Sequence, residues 1–247
     1  MSFGKTLCEE IIMNNYHFIE CIETGTYGEV YKVLNKNNNT YYAAKKIHQM
    51  DIKLFEKQIH KTLHHDNIIK YHDIFHFQGS TYIITELAKM DLYMKYYTLN
   101  KNITFEEIFK ILIDIANAIQ YMHHNDIVHG DIKIENVLIC ENEIYKLCDF
   151  GLSFKCKNMK KCPYKYKDLV IPEIKKQLWG KPSDVWCFGK MIKKILLFYA
   201  FPKRHCITTF GATYYFLQIL SEMCMNPDYK QRLTIGDILI HLNAKKV

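Results

Sequence analysis

His129–Asn136 reads HGDIKIEN, and thirteen residues after Asn136 comes Asp149–Gly151, DFG. Each is a polar segment beside an apolar run, with short strands predicted at 137–140 and 145–148. An HxDxKxxN pattern can be no more than a loop cap, and an Asp-containing turn after a strand is ordinary. The two in this order at this separation carry the reading, because chance rarely supplies both.

Upstream of this pair the chain reads as strands. Tyr16–Glu23 and Glu29–Leu34 flank Gly25 and Gly28, the run NKNNNT at 35–40 is a hairpin turn, and Tyr41–His48 is a third strand. Asp51 opens an amphipathic run to Leu63, with Ile52, Phe55, Ile59 and Leu63 at helical spacing. Strands at 69–77 and 81–86 follow, joined through Gly79. The remainder is mostly helical. Thr104 and Glu107 form a capping-box signature before a stripe of Ile108, Ile111, Leu112, Ile115, Ala118, Ile119 and Met122. Further helices are expected at 184–197, near 214–225, and at 235–242. This is an α+β architecture, a small β-rich unit with one helix and a larger helical unit, with a ligand cleft expected near residues 85–92.

Length and composition fit one domain over 1–247: a first unit at about 16–86, a connection at about 86–90 and a second unit at about 91–247. Of the 247 residues, 49% are apolar and 24% charged, which excludes a disordered chain. Nine irregularly spaced cysteines without a CxxC pair read as reduced thiols in a cytoplasmic or nuclear protein. The N-terminal stretch lacks a signal-peptide core, Ser2 stands where myristoylation needs glycine, and the apolar run at 195–201 is too short to span a bilayer. The expectation is therefore a soluble protein. The net charge of +7 suits acidic peptides, nucleotides, nucleic acid or simply solubility, and charge alone does not choose among them; no nucleic acid is required.

On HGDIKIEN, DFG and the motifs around them, the sequence resembles the eukaryotic protein kinase family from about Tyr16 to Leu242. The chemistry accounts for the residue types. Phosphoryl transfer needs in-line positioning and neutralised phosphate charge more than covalent help. The resemblance implies a bilobal protein-kinase fold with ATP and Mg²⁺ as cofactors and a protein substrate. Asp131 is then the base, Lys133 steadies the γ-phosphate, and Asn136 and Asp149 are metal ligands. YAAKKI at 42–47 resembles the VAIK strand, making Lys45 the ligand of the α- and β-phosphates. Glu56, nine residues before His65 of HDNI, is the helix partner of Lys45. Gly25 and Gly28 are the second and third glycines of the phosphate loop, and Glu23 stands in place of the first. Val30, Ala43 and Leu138 sandwich the adenine, Thr85 is the gatekeeper, and the backbone from Glu86 to Ala88 bonds the base. Asp91 meets the ribose or caps the following helix. IPE at 171–173, SDVWCFG at 183–189 and Arg232 complete the pattern, with Glu173, Asp184 and Arg232 structural.

Several residues depart from the family. Gly130 replaces the arginine that grips an activation-loop phosphate, and residues 154–173 contain no serine or threonine, only Tyr164 and Tyr166. These losses imply a kinase that does not need loop phosphorylation, and Lys133, two residues after the base, favours serine/threonine over tyrosine by the family pattern. Lys155, Lys157, Lys160, Lys161, Lys165 and Lys167 form either a ledge for acidic substrates or a solvated face. His60 and Tyr71 put polar groups where an apolar spine is usual. Together with Glu23 they motivate the alternative of a pseudokinase acting as scaffold or decoy, whereas a small-molecule kinase is disfavoured by Lys133, IPE and SDVWCFG. Richness in Lys, Ile and Asn, with the HGDIK loop, resembles kinases encoded by large DNA viruses.

Overall fold

In Tyr41–Lys45 burial alternates, Tyr42 and Ala44 buried on one face and Ala43 and Lys45 half-buried on the other, as a strand's period of two requires. The computed structural model describes residues 12–25, 28–48, 59, 61–161, 171–199 and 209–245. Its first unit is an antiparallel sheet of β1 (Ile12–Met13), β2 (Tyr16–Gly25), β3 (Gly28–Asn35), β4 (Thr40–His48), β5 (Tyr71–Phe77) and β6 (Ser80–Glu86), in the order β1-β2-β3-β4-β6-β5. One face is held by Tyr16, Phe18, Val33, Tyr42, Ala44, Phe75, Tyr82 and Ile84. Phe75 stacks between Tyr16 and Tyr82, with ring centroids 5.8 and 5.1 Å away.

β5 starts two residues later than the sequence predicts. Ile68 bridges Leu147 in the second unit, and the Ile69 N–H bonds the Leu147 carbonyl, which pulls this segment out of the upper sheet. The predicted helix at 51–63 lies mostly outside the described residues; Ile59, Lys61 and Thr62 are helical.

The second unit is built on α1 (Phe105–His124). Thr104 Oγ1 accepts from Glu107 N at 3.2 Å, and the whole predicted stripe from Ile108 to Met122 is fully buried. Each of its Ile, Leu and Met side chains contributes about 1.5–3 kcal/mol on leaving water. β7 (Met90–Asp91), β9 (Val137–Ile139) and β10 (Tyr145–Leu147) make a small sheet beneath the cleft, and β8 (Ile127–Val128) pairs with β11 (Phe154–Lys155). β12 (Lys160–Lys161) pairs with β13 (Leu178–Trp179). The remaining helices are α2 (Lys181–Leu196), α3 (Thr209–Cys224) and α4 (Ile235–Lys245). α2 begins three residues before the predicted start, because Pro182 is accommodated in a first turn and Ser183 Oγ accepts from Gly180 N. Gly189 is needed where α2 meets α3: a Cβ there would lie 2.7 Å from Cys224 Cβ. Among the described residues no helix is long and apolar enough to cross a membrane.

A buried ion pair locks the lower unit. Arg232 Nη1 and Nη2 each lie 2.6 Å from a carboxylate oxygen of Glu173, Ser183 Oγ adds a third bond, and the Arg and Glu side chains are 0% and 1% exposed. Such a pair is costly to break because one charge stays buried alone. Arg232→Ala should therefore cost about 3–5 kcal/mol in urea unfolding; a loss below about 1 kcal/mol would mean the pair is dispensable.

Candidate active site

Strand register assembles the upper wall of the cleft. Glu23 pairs with Val30, Val30 with Lys45 and Lys45 with Ile83, so the four side chains form one row on one sheet face. Two positions along lie Ala43 and its partner Thr85, both half-buried. Gly25 and Gly28 pair at the turn, and Gly28, with φ of +132°, would place a Cβ 2.1 Å from the Lys46 carbonyl oxygen, so only glycine fits. Leu138, half-buried on β9 opposite Asp91, borders the cleft from below.

Glu86 joins the two units. Its N–H donates to the Lys70 carbonyl, and its Oε1 accepts from Lys70 N and Lys146 Nζ, both at 2.7 Å. The Glu86 N–H is therefore occupied within the protein, and Ala88 is half-buried against the lower core. Asp91 Oδ1 accepts from Met94 N at 2.7 Å, which favours the capping role over the ribose role.

The HGDIKIEN segment is organised around Asp131. Its Oδ2 accepts from Lys133 Nζ at 2.6 Å and Asn136 Nδ2 at 3.0 Å, and Asn136 Nδ2 also reaches the Asp131 carbonyl at 2.7 Å. Both side-chain bonds fall on Oδ2. His129 connects this segment to DFG: Nε2 lies 3.0 Å from the Cys148 carbonyl and Nδ1 3.1 Å from Asp131 N. A carbonyl only accepts and an N–H only donates, so Nε2 carries the hydrogen and Nδ1 is bare. Phe150 is buried against the His129 ring.

Asp149 takes a positive φ of +61° and its Oδ1 lies 2.7 Å from Lys45 Nζ. Burial works to raise its pKa, but the Lys45 charge and hydrogen bond, with the Gly151 N–H, overcome it and hold the carboxyl below its ordinary value. Asp149 and Asn136 offer a carboxylate and an amide oxygen, and the Asn136 Nδ2 bonds turn its Oδ1 away from Asp131. Hard oxygen donors of this kind suit a magnesium ion that keeps water and phosphate as further ligands. The residues present fit that ion.

Glu23 stands exposed on the cleft face in the same row as Lys45. Desolvation, then the charges of Asp91 and Asp149, raise its carboxyl, against Lys45 and Lys133. The carboxyl thus stands at the first-glycine position, which the family resemblance places over the nucleoside side of the nucleotide. Glu56, His60, Thr26 and Tyr27 lie outside the described residues, as do Tyr164, Lys165, Tyr166 and Lys167. Tyr71 is half-buried.

Sequence reasoning missed three positioning contacts: Glu86–Lys146, the His123–Asp184 bond at 2.9 Å, and Lys194–Glu135 at 2.6 Å. They link residues 60, 61 and 59 positions apart (146 − 86, 184 − 123 and 194 − 135) and carry no local pattern. Replacing Glu23 by glycine removes a carboxylate from the loop position expected to cover the nucleotide. Glu23→Gly should tighten ATP binding by about 2- to 5-fold, the size of one exposed charge contact, in a direct titration; unchanged or weaker binding would show that Glu23 does not oppose the nucleotide.

Comparison with known proteins agrees with this geometry. The protein kinase domain family matches residues 16–242. The chain is 30% identical over 199 residues to the membrane-associated tyrosine- and threonine-specific cdc2-inhibitory kinase wee-1.3 of Caenorhabditis elegans, covering 77% of this chain and 29% of that one. It is 29% identical over 185 residues to the serine/threonine-protein kinase RUNKEL of Arabidopsis thaliana, covering 72% and 14%. Against calcium-dependent protein kinase 5 of Plasmodium falciparum it is 26% identical, covering 98% and 49%. The chain thus spans less than half the length of each of these relatives. With its matched region running from the first long strand to the last helix, the chain belongs to the protein kinase domain family.

Proposed function

We propose that this protein is a catalytically competent kinase that transfers the γ-phosphate of ATP to serine or threonine hydroxyls of a protein substrate. The observation that carries the reading is the Asp131 carboxylate held on one oxygen by Lys133 and Asn136, with Lys45 and Asp149 joined at 2.7 Å. Asp131 Oδ1 accepts the hydroxyl proton as the oxygen attacks in line. Lys133, once a nucleotide is bound, shifts part of its charge from Asp131 to the transferring phosphoryl group. Lys45 pairs with the non-transferring phosphates and Asp149 is freed from it. Asn136 and Asp149 would hold magnesium, which when bound would supply charge neutralisation for the phosphates. Lys133 at this place in the loop supports serine/threonine specificity by family pattern, while the relatives include a tyrosine- and threonine-specific enzyme.

Independence from loop phosphorylation is supported by Gly130. Its φ is +86° and a Cβ there would meet the Leu152 carbonyl oxygen at 2.7 Å, so the site carries no phosphate-gripping side chain. Glu23, in the field of Asp149, favours the second reading of a pseudokinase scaffold or decoy.

Transfer of labelled phosphate from Mg·ATP to protein substrates should fall by about 10²–10⁴-fold in Asp131→Asn. Wild-type protein that transfers nothing while still folded would instead support the scaffold. Activity should be equal before and after phosphatase treatment; its abolition would defeat the claim of independence.

A further inference from the structure

The basic segment that leaves DFG is an ordered surface beside the catalytic loop. β11 pairs with β8, Val128 opposite Phe154 and Ile127 opposite Lys155, and β8 runs directly into His129–Asp131. The Cys156 N–H bonds the Asp126 carbonyl, and the buried Cys156 thiol reaches the carbonyls of Asn158 and Trp179. β12 then pairs with β13, Lys160 opposite Trp179 and Lys161 opposite Leu178, and Trp179 is fully buried. Lys160 Nζ bonds the Lys155 carbonyl and lies 4.8 Å from the Phe154 ring centroid. Backbone pairing on both sides therefore fixes the spacing of these lysines before any partner arrives.

Charge on this surface is one-sided. Residues 154–161, FKCKNMKK, carry four lysines and no acid, and all four are exposed. The nearby carboxylate of Asp126 is already held by Lys181 at 2.7 Å, which lowers its pKa together with Lys157 and Lys155. Among the described residues Lys157 and Lys161 show no ion pair. An anion from the segment's own serines or threonines is ruled out by sequence, since residues 154–173 have none.

We propose that Lys155, Lys157, Lys160 and Lys161 form a docking ledge for anionic residues of the protein substrate, carboxylate or phosphate, close to the hydroxyl being phosphorylated. This rests on the kinase reading and deepens it by naming the substrate class. The ledge raises encounter and residence of acidic segments by complementary charge and weakens as salt screens it. Basic segments are repelled.

The test uses serine peptides flanked by Asp/Glu, by phosphoserine, by Lys or by Ala. Their kcat/KM values are read in the wild type, in Lys157→Glu/Lys161→Glu and in the milder Lys157→Gln/Lys161→Gln. Binding of a fluorescent Asp/Glu peptide is followed by anisotropy at rising salt, and thermal unfolding checks that both variants are folded. The expected result is a preference for anionic peptides that falls by about tenfold in the Glu variant and less in the Gln variant, as two exposed charge contacts allow. Loss on the phosphoserine peptide alone would assign the ledge to phosphate, and loss on both to carboxylates as well. Equal transfer to all four peptides would overturn the ledge and leave the kinase reading standing. Ledge-dependent, salt-sensitive binding without transfer would leave an anion-binding surface but overturn both its substrate-docking role and the kinase reading. Neither binding nor transfer would overturn both.

Discussion

The buried carboxylate of Asp184 is the constraint on which the catalytic geometry depends. At 0% exposure it accepts from His123 Nε2, His129 N and Gly130 N, each at 2.9 Å. Its charge is satisfied by three donors rather than by an opposite charge in water, and bonds to a charged acceptor are worth about 1.5–3 kcal/mol each. The result is that α2, the end of α1 and the loop entering Asp131 are tied to one carboxylate. His129 then passes the constraint on, with one ring nitrogen on the Cys148 carbonyl and the other on Asp131 N. DFG and the loop of the proposed base are thereby registered against each other, and Ser153 Oγ on the His129 carbonyl closes the frame.

Against this lower half the upper sheet contributes the row of Glu23, Val30, Lys45 and Ile83, with Ala43 and Thr85 two positions along. Lys45 meets Asp149 across the cleft, which leaves two charges mutually neutralised where a nucleotide and its metal are expected. The units are joined by more than a flexible connection. Glu86 takes Lys70 N and Lys146 Nζ on one oxygen, Asn67 Nδ2 donates to the Tyr145 carbonyl, and Ile68 bridges Leu147. Relative motion of the two units must strain or break these bonds, so the hinge has a built-in stiffness. Glu23 works in the opposite direction, placing negative charge at the mouth of the same cleft.

The segment after DFG shows how a missing side chain and a surplus of charge fit together. Gly130 closes against the Leu152 carbonyl and leaves no room for a phosphate-gripping side chain. The lysines on β11 and β12 are held instead by backbone pairing with β8 and β13. Their positive field thus has a fixed shape without a phosphorylated loop residue.

The α+β division and the identity of the polar cluster were legible in the sequence because both depend on local pattern. Period-two strands around Lys45, the capped apolar stripe from Thr104 to Met122, and the spacing of Asp131, Asn136 and Asp149 are all set by near neighbours in the chain. Element ends were less legible. Ile69 reads as strand, yet its N–H is taken by Leu147 from the other unit, and the α2 start moved to Lys181 when Ser183 found Gly180. Only the tertiary structure could decide that Glu23 shares a face with Lys45, that Glu86 spends its side chain on Lys146, and that Asp184 grips the backbone of residues 129 and 130. The physical reason is common to all three. A strand register or a hydrogen bond between residues dozens of positions apart depends on where the chain has folded back, and composition and short-range periodicity do not encode that.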